Sequence, residues 1–139
     1  MASIKKIKII SAFIGILILL SFTTFQYSEK DLIGTWKIIK IKNNLGSKID
    51  STAFLGETFT YKMDHSVIHF NPNHPIEQKQ KGRWEIKNDT LFQYNPTEKK
   101  MPFKILTLNK NELTIQQKME DILTTIFYKK TTTIVNNGN

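Results

Sequence analysis

His65, His69 and His74 are the chain's three histidines and fall within ten residues of one another, a density that raises metal binding first. Spacing argues against it. On extended chain His65 and His69 would stand about 13 Å apart at roughly 3.3 Å per residue, whereas ligands of one zinc ion each lie about 2.0–2.1 Å from it. The plain reading puts His65 in a turn, His69 on the outward face of a strand and His74 in the loop Asn71-Pro72-Asn73-His74-Pro75. No metal or other cofactor is expected. Enzyme chemistry has as little to stand on. The twelve acids are scattered over turns and outward positions, and neither a Gly-x-Ser-x-Gly elbow nor a glycine-rich phosphate loop occurs. The chain is therefore read as a non-enzyme with no catalytic residue. Of the positions assigned below to an inner face, Tyr61, Gln93 and Tyr128 are the polar ones. They suit orienting a bound molecule or, equally, packing with a polar tip at a wet end of the fold.

The 139 residues hold 20 basic and 12 acidic side chains and no cysteine, which leaves room for one domain without disulfides. Three of the eight excess positive charges are Lys5, Lys6 and Lys8, so the remainder carries +5. Only Arg83 among the basic residues is arginine; without bidentate guanidinium groups, nucleic acid is not an expected partner. The three lysines precede an uncharged, aliphatic-rich run from Ile9 to Ser28, the form of an export signal. Its dense part, Ile9 to Phe22, is shorter than the roughly 20 residues that span a bilayer core. Residues 1–25 are read as a signal peptide or membrane anchor, Ser21-Phe22-Thr23 being a mediocre cleavage site, and residues 26–31 as a linker. The expected location is periplasmic or secreted, or inner-membrane anchored through residues 9–25. With no cysteine, a lipidated form is excluded.

From Leu32 onward, short runs of Ile, Phe, Thr, Tyr and Trp alternate with Asn, Asp, Gly and Pro, with no sustained helical period. The pattern is all-β. Eight strands are predicted, at 34–43, 57–63, 66–70, 81–87, 90–94, 103–108, 113–119 and 122–130, with a frayed tail over 131–139. Two-residue loops would fix register, and register decides which side chains share a face. A loop at Asp64-His65 sets Tyr61 opposite Ile68 and Phe59 opposite Phe70. A loop at Asn88-Asp89 sets Ile86 opposite Leu91 and Trp84 opposite Gln93. A loop at Glu120-Asp121 sets Ile115 opposite Ile126 and Leu113 opposite Tyr128. Each puts apolar side chains on one face. A longer loop at 109–112 pairs Leu108 with Leu113 but sends Phe103 and Ile105 outward, which calls for a bulge. The apolar phase also slips between Ile38 and Ile39, calling for another bulge or a sharp coil. Phe92, Phe103 and Phe127 fall outside on these registers.

Eight sequential antiparallel strands with one buried face leave two raw edges unless the sheet closes, so the expected fold is an eight-stranded antiparallel up-and-down barrel over residues 32–130. Short loops after the second, fourth and sixth strands gather at one end; long loops at 44–56, 71–80 and 95–102 rim the other, where only the last hairpin is short. A barrel of eight strands is packed solid or holds one small ligand.

Leu32-Ile33-Gly34-Thr35-Trp36-Lys37, just after an export signal, resembles the opening of the lipocalin-like proteins of Bacteroidetes bacteria. Gly82-Arg83-Trp84-Glu85-Ile86 followed by Asn88-Asp89-Thr90-Leu91 is similar to the middle hairpin of that group. The resemblance implies binding of a small apolar molecule, structural roles for Gly34 and Trp36 at the closed end, and a basic side chain from the last strand, Lys129 or Lys130, laid over Trp36.

Two functions remain in view. The first is an exported protein binding a small hydrophobic ligand inside the barrel through Phe59, Tyr61, Ile68, Phe70, Trp84, Gln93 and Tyr128. Ala53-Phe54-Leu55-Gly56 would form a lid, or else an Ω-loop packed on itself. The alternative is an envelope interaction module with a filled core, meeting a protein or an anionic surface through outer aromatics and surplus lysines. A membrane is touched only through an uncleaved N-terminal segment.

Overall fold

Turn chemistry and alternation at period two build the architecture. The computed structural model describes residues 27–46, 52–74 and 79–132; the segment read as an export signal and the tail from 133 lie outside them. The strands are β1 (Gly34–Asn43), β2 (Thr58–Tyr61), β3 (Ser66–Phe70), β4 (Lys79–Lys87), β5 (Thr90–Tyr94), β6 (Lys100–Leu108), β7 (Glu112–Met119) and β8 (Ile122–Thr131). They close in sequence order into an antiparallel barrel, sealed where β1 pairs with β8 from Thr35↔Thr131 to Asn43↔Thr124. Closure gives each described strand a neighbour on both sides. Among the described residues no helix is long and apolar enough to cross a membrane.

Asn88 and Glu120 take the positive φ that a primed turn needs at its first loop position. The expected registers follow: Ile86↔Leu91 and Trp84↔Gln93 across β4–β5, Ile115↔Ile126 and Leu113↔Tyr128 across β7–β8. Both bulges are present. One lies between Ile38 and Lys40, and the other between Ile105 and Thr107. The second turns Ile105 and Phe103 into the core, which corrects the outward placement of Phe103.

The β2–β3 hairpin departs from expectation by one residue. Lys62 N–H donates to Ser66 C=O and His65 N–H to Lys62 C=O, so Met63-Asp64-His65 is a three-residue loop with His65 in the left-handed region at φ 61°. The Asp64 carboxylate accepts bonds from the Ser66 amide and hydroxyl at 2.9 and 2.6 Å, which hold its pKa below the usual carboxylate range. Tyr61 therefore faces Val67 and Phe59 faces His69. A slip of one residue exchanges the faces of β3. Val67 and His69 turn inward, and Ile68 and Phe70 turn out.

The closed end is capped by a one-turn helix, α1 (Glu29–Leu32), where a linker was expected. Leu32 is fully buried, and its carbonyl accepts the Trp36 indole N–H at 2.7 Å. The Tyr27 hydroxyl reaches the carbonyl of bulge residue Leu106 at 3.1 Å. Lys130 lies over Trp36, its Nζ 5.0 Å from the ring centroid and 3.2 Å from the Asp31 carbonyl that it bonds. Of the two lysines the resemblance offered, Lys130 is the one that covers the ring.

Gly34 makes this approach feasible: at φ 130° it sits where L side chains are strained, and a Cβ there would meet Lys130 Cε at 2.5 Å. Gly34→Ala is expected to cost about 1–3 kcal/mol in urea unfolding. A Lys130→Ala background should relieve the contact part and leave the backbone part; an equal cost in both backgrounds would refute the packing role.

Candidate functional site

The barrel interior divides in two. Towards the closed end Trp36, Tyr61, Trp84, Leu91, Leu113 and Ile115 are essentially inaccessible and fill the cross-section. Tyr61 meets Trp84 edge to face, and its hydroxyl accepts a bond from the Gln93 amide. Towards the end with the long loops a cavity of about 430 Å³ opens, within the range of small-molecule sites. Its wall includes Ile38, Phe59, Met101, Phe103, Ile126 and Tyr128. Phe54, from the 3-10 turn Thr52–Phe54, and Met119 stand at the mouth, both exposed. The choice between a packed barrel and a hollow one thus resolves as both, one above the other.

One polar cluster interrupts the apolar wall. Phe59 and Tyr61 of β2 point inward opposite His69 and Val67, and by alternation Glu57, the residue just before β2, falls on the same face. The Glu57 carboxylate is 5% exposed and lies 2.7 Å from His69 Nε2. Its other oxygen accepts the Asn71 side-chain amide at 2.7 Å. Both carboxylate oxygens are satisfied, as a buried acid requires. The His69 ring is stacked on Phe59 with centroids 4.5 Å apart and planes 12° from parallel, so its orientation is held from two sides.

The two interior phenols titrate far from their ordinary range. Burial is the main cause that raises the Tyr61 pKa, aided by the nearby Tyr128 and opposed by the bond from Gln93. Burial and then the charge of Glu57 raise that of Tyr128. Both stay neutral groups facing the core.

Of the residues expected to bind ligand, Phe59, Gln93 and Tyr128 line the cavity. Tyr61 and Trp84 lie beneath it in the packed half. Ile68 and Phe70 are on the outer face of β3, displaced by the register slip. His69, expected outside, is on the cavity wall. Glu57 and His69 are the titratable residues of the wall that sequence reasoning missed. The one local signal was Asp64, two residues before Ser66, which favours a longer Asx-type turn, and apolar matching through Ile68 and Phe70 outweighs it.

Outside the barrel, Phe92 and Phe127 face outward as expected, but neither forms a bare stripe. Lys100 Nζ lies 4.1 Å from the Phe92 centroid, and Lys40 and Lys42 each lie 5.9 Å from that of Phe127. Arg83 is 4.0 Å above Tyr94. The cations use aromatic faces as platforms and shield them from water.

Comparison with known proteins agrees with this geometry. A crystal structure of a lipocalin-like protein from Bacteroides uniformis is similar in fold, with a TM-score of 0.53 and 18% sequence identity over 73% of this chain and 99% of that one. No curated protein matches in sequence. The family of C-terminal lipocalin-like domains matches residues 20–134. A match over most of the chain, together with a closed barrel of eight sequential strands, shows that the protein belongs to this family of C-terminal lipocalin-like domains.

Proposed function

We propose that the barrel binds a small, predominantly apolar molecule in its upper cavity, admitted through the end rimmed by the long loops. The observation that carries this reading is the cavity itself: about 430 Å³ left open above a fully packed lower core, with nine of its sixteen lining residues aliphatic, methionine or phenylalanine. An apolar wall of this size favours an apolar occupant over water. The role is binding rather than catalysis, and no cofactor takes part. Export through residues 1–25, to the periplasm or beyond, belongs to the same proposal. A filled-core interaction module is the weaker reading, because Phe92 and Phe127, its candidate contacts, are roofed by lysines.

An environment-sensitive naphthylamine dye titrated into the full chain tests the reading. The wild type is expected to bind it with enhanced emission, and Ile126→Trp, which grows into the cavity, is expected to weaken binding about tenfold or more with an unchanged far-UV spectrum. Wild-type affinity in Ile126→Trp would place the dye elsewhere.

A further inference from the structure

The charges facing the cavity point to the chemical class of its ligand. The chain has twenty basic side chains, yet among the described residues no lysine or arginine lines the cavity. Among the described residues, the titratable side chains on the wall besides Tyr128 are Glu57 and His69. A ligand carboxylate placed here would find no fixed cation and would share a poorly solvated space with the Glu57 carboxylate, a repulsion that low local dielectric strengthens.

His69 offers the opposite kind of partner. Its Nε2 is engaged by Glu57 at 2.7 Å, and the second ring nitrogen has no hydrogen-bond partner among the described residues. In a neutral imidazole whose Nε2–H donates to a carboxylate, Nδ1 is left with a lone pair and acts as an acceptor. The ring is 29% exposed, on the cavity wall, and Phe59 fixes its plane. Asn71 satisfies the remaining Glu57 oxygen, so the carboxylate stays in place to orient the imidazole. Asn43, Gln117, Thr124 and Tyr128 add neutral polar atoms that serve a head group of either sign, and charge decides between them.

We infer that the ligand is an apolar molecule bearing a hydrogen-bond-donating head, an alcohol or an amine, seated at the His69–Glu57 pair, and that the cavity discriminates against carboxylates. This rests on the binding role proposed above. The apolar body fills the space between Ile38, Phe103 and Ile126, and the head meets His69 near the mouth, where β2 begins and β3 ends.

Competition for the bound dye by decanol, decylamine and decanoate, on the full chain at a pH of about 8 where decanoate is ionised, tests the inference. Decanol and decylamine are expected to compete about tenfold or more better than decanoate. Glu57→Gln should bring decylamine and decanoate within about threefold of each other by removing the charge, and His69→Phe should weaken decanol about tenfold relative to the dye, read as the ratio of their affinities in the variant and the wild type. Decanoate competing as well as decanol overturns the inference and leaves the binding role standing. Failure of the wild type to bind the dye, with no calorimetric heat from any of the three, overturns the binding role and the inference with it. An amine or an alcohol that competes alone supports the inference and assigns the head to the Glu57 charge or to His69 Nδ1, respectively. The wild-type series decides by itself should either variant fail to fold.

Discussion

Replacing Trp36 by alanine is expected to lower stability by about 3–5 kcal/mol, a large share of the roughly 5–15 kcal/mol that holds a domain of this size. Trp36 is fully buried and is the tie between the barrel and its cap. The indole N–H bonds the Leu32 carbonyl, Lys130 covers the ring, and Leu32 packs into the same cluster. Truncation leaves a cavity at the closed end and also frees the Leu32 carbonyl and α1, so two elements lose their support together. Urea unfolding followed by far-UV circular dichroism measures this directly. A loss below about 1 kcal/mol would mean that the cap contributes nothing and that the closed end collapses around the gap. Trp36→Phe, which keeps most of the volume but not the N–H, should fall between the two.

Stability should drop steeply in alkali, through Tyr61 and Tyr128. Burial raises both phenol pKa values in the folded barrel, whereas an unfolded tyrosine ionises near pH 10. Below pH 10 both states keep the phenolic protons, and the contribution is fully present and constant. Above it the unfolded chain releases protons that the native one retains, so stability falls with rising pH by about 1.4 kcal/mol per pH unit for each phenol. The two together give a slope of about 2.7 kcal/mol per unit. The Tyr128 phenol adds to the rise of the Tyr61 pKa, after burial. Urea midpoints measured from pH 9 upward, for the wild type and the Tyr61→Phe/Tyr128→Phe double variant, test this. The double variant is expected to lose most of the slope; parallel curves would show that the interior admits water and ionised phenols.

How much of the molecule was legible in the sequence follows from where information is local. Asn88-Asp89 and Glu120-Asp121 are two-residue loops whose backbone leaves one register open, and the apolar alternation on both sides agrees with it. The bulge at Leu106 was legible because a strict alternation would have put Ile105 and Phe103 in water. The β2–β3 hairpin was not, since Ile68 and Phe70 are as apolar as Val67 and larger. Apolar matching then favours the wrong face, and the turn geometry at Asp64, Ser66 and His65 overrides it. That one residue carried half of the candidate site: it exchanged Ile68 and Phe70 for His69 and set His69 against Glu57.

The amino-acid sequence by itself determined the strands, their order, the closure of the sheet and which end has the long loops, because alternation and turn residues act over a few neighbouring positions. Only the tertiary structure decided that the barrel is solid below and hollow above. Cavity volume is a sum over side chains from all eight strands, and the two tryptophans, Tyr61 and their aliphatic neighbours all fall in the lower layers. The same holds for the Glu57–His69–Asn71 cluster. Its members come from separate strand ends whose side chains meet only once a single-residue choice of register has turned them to the same face.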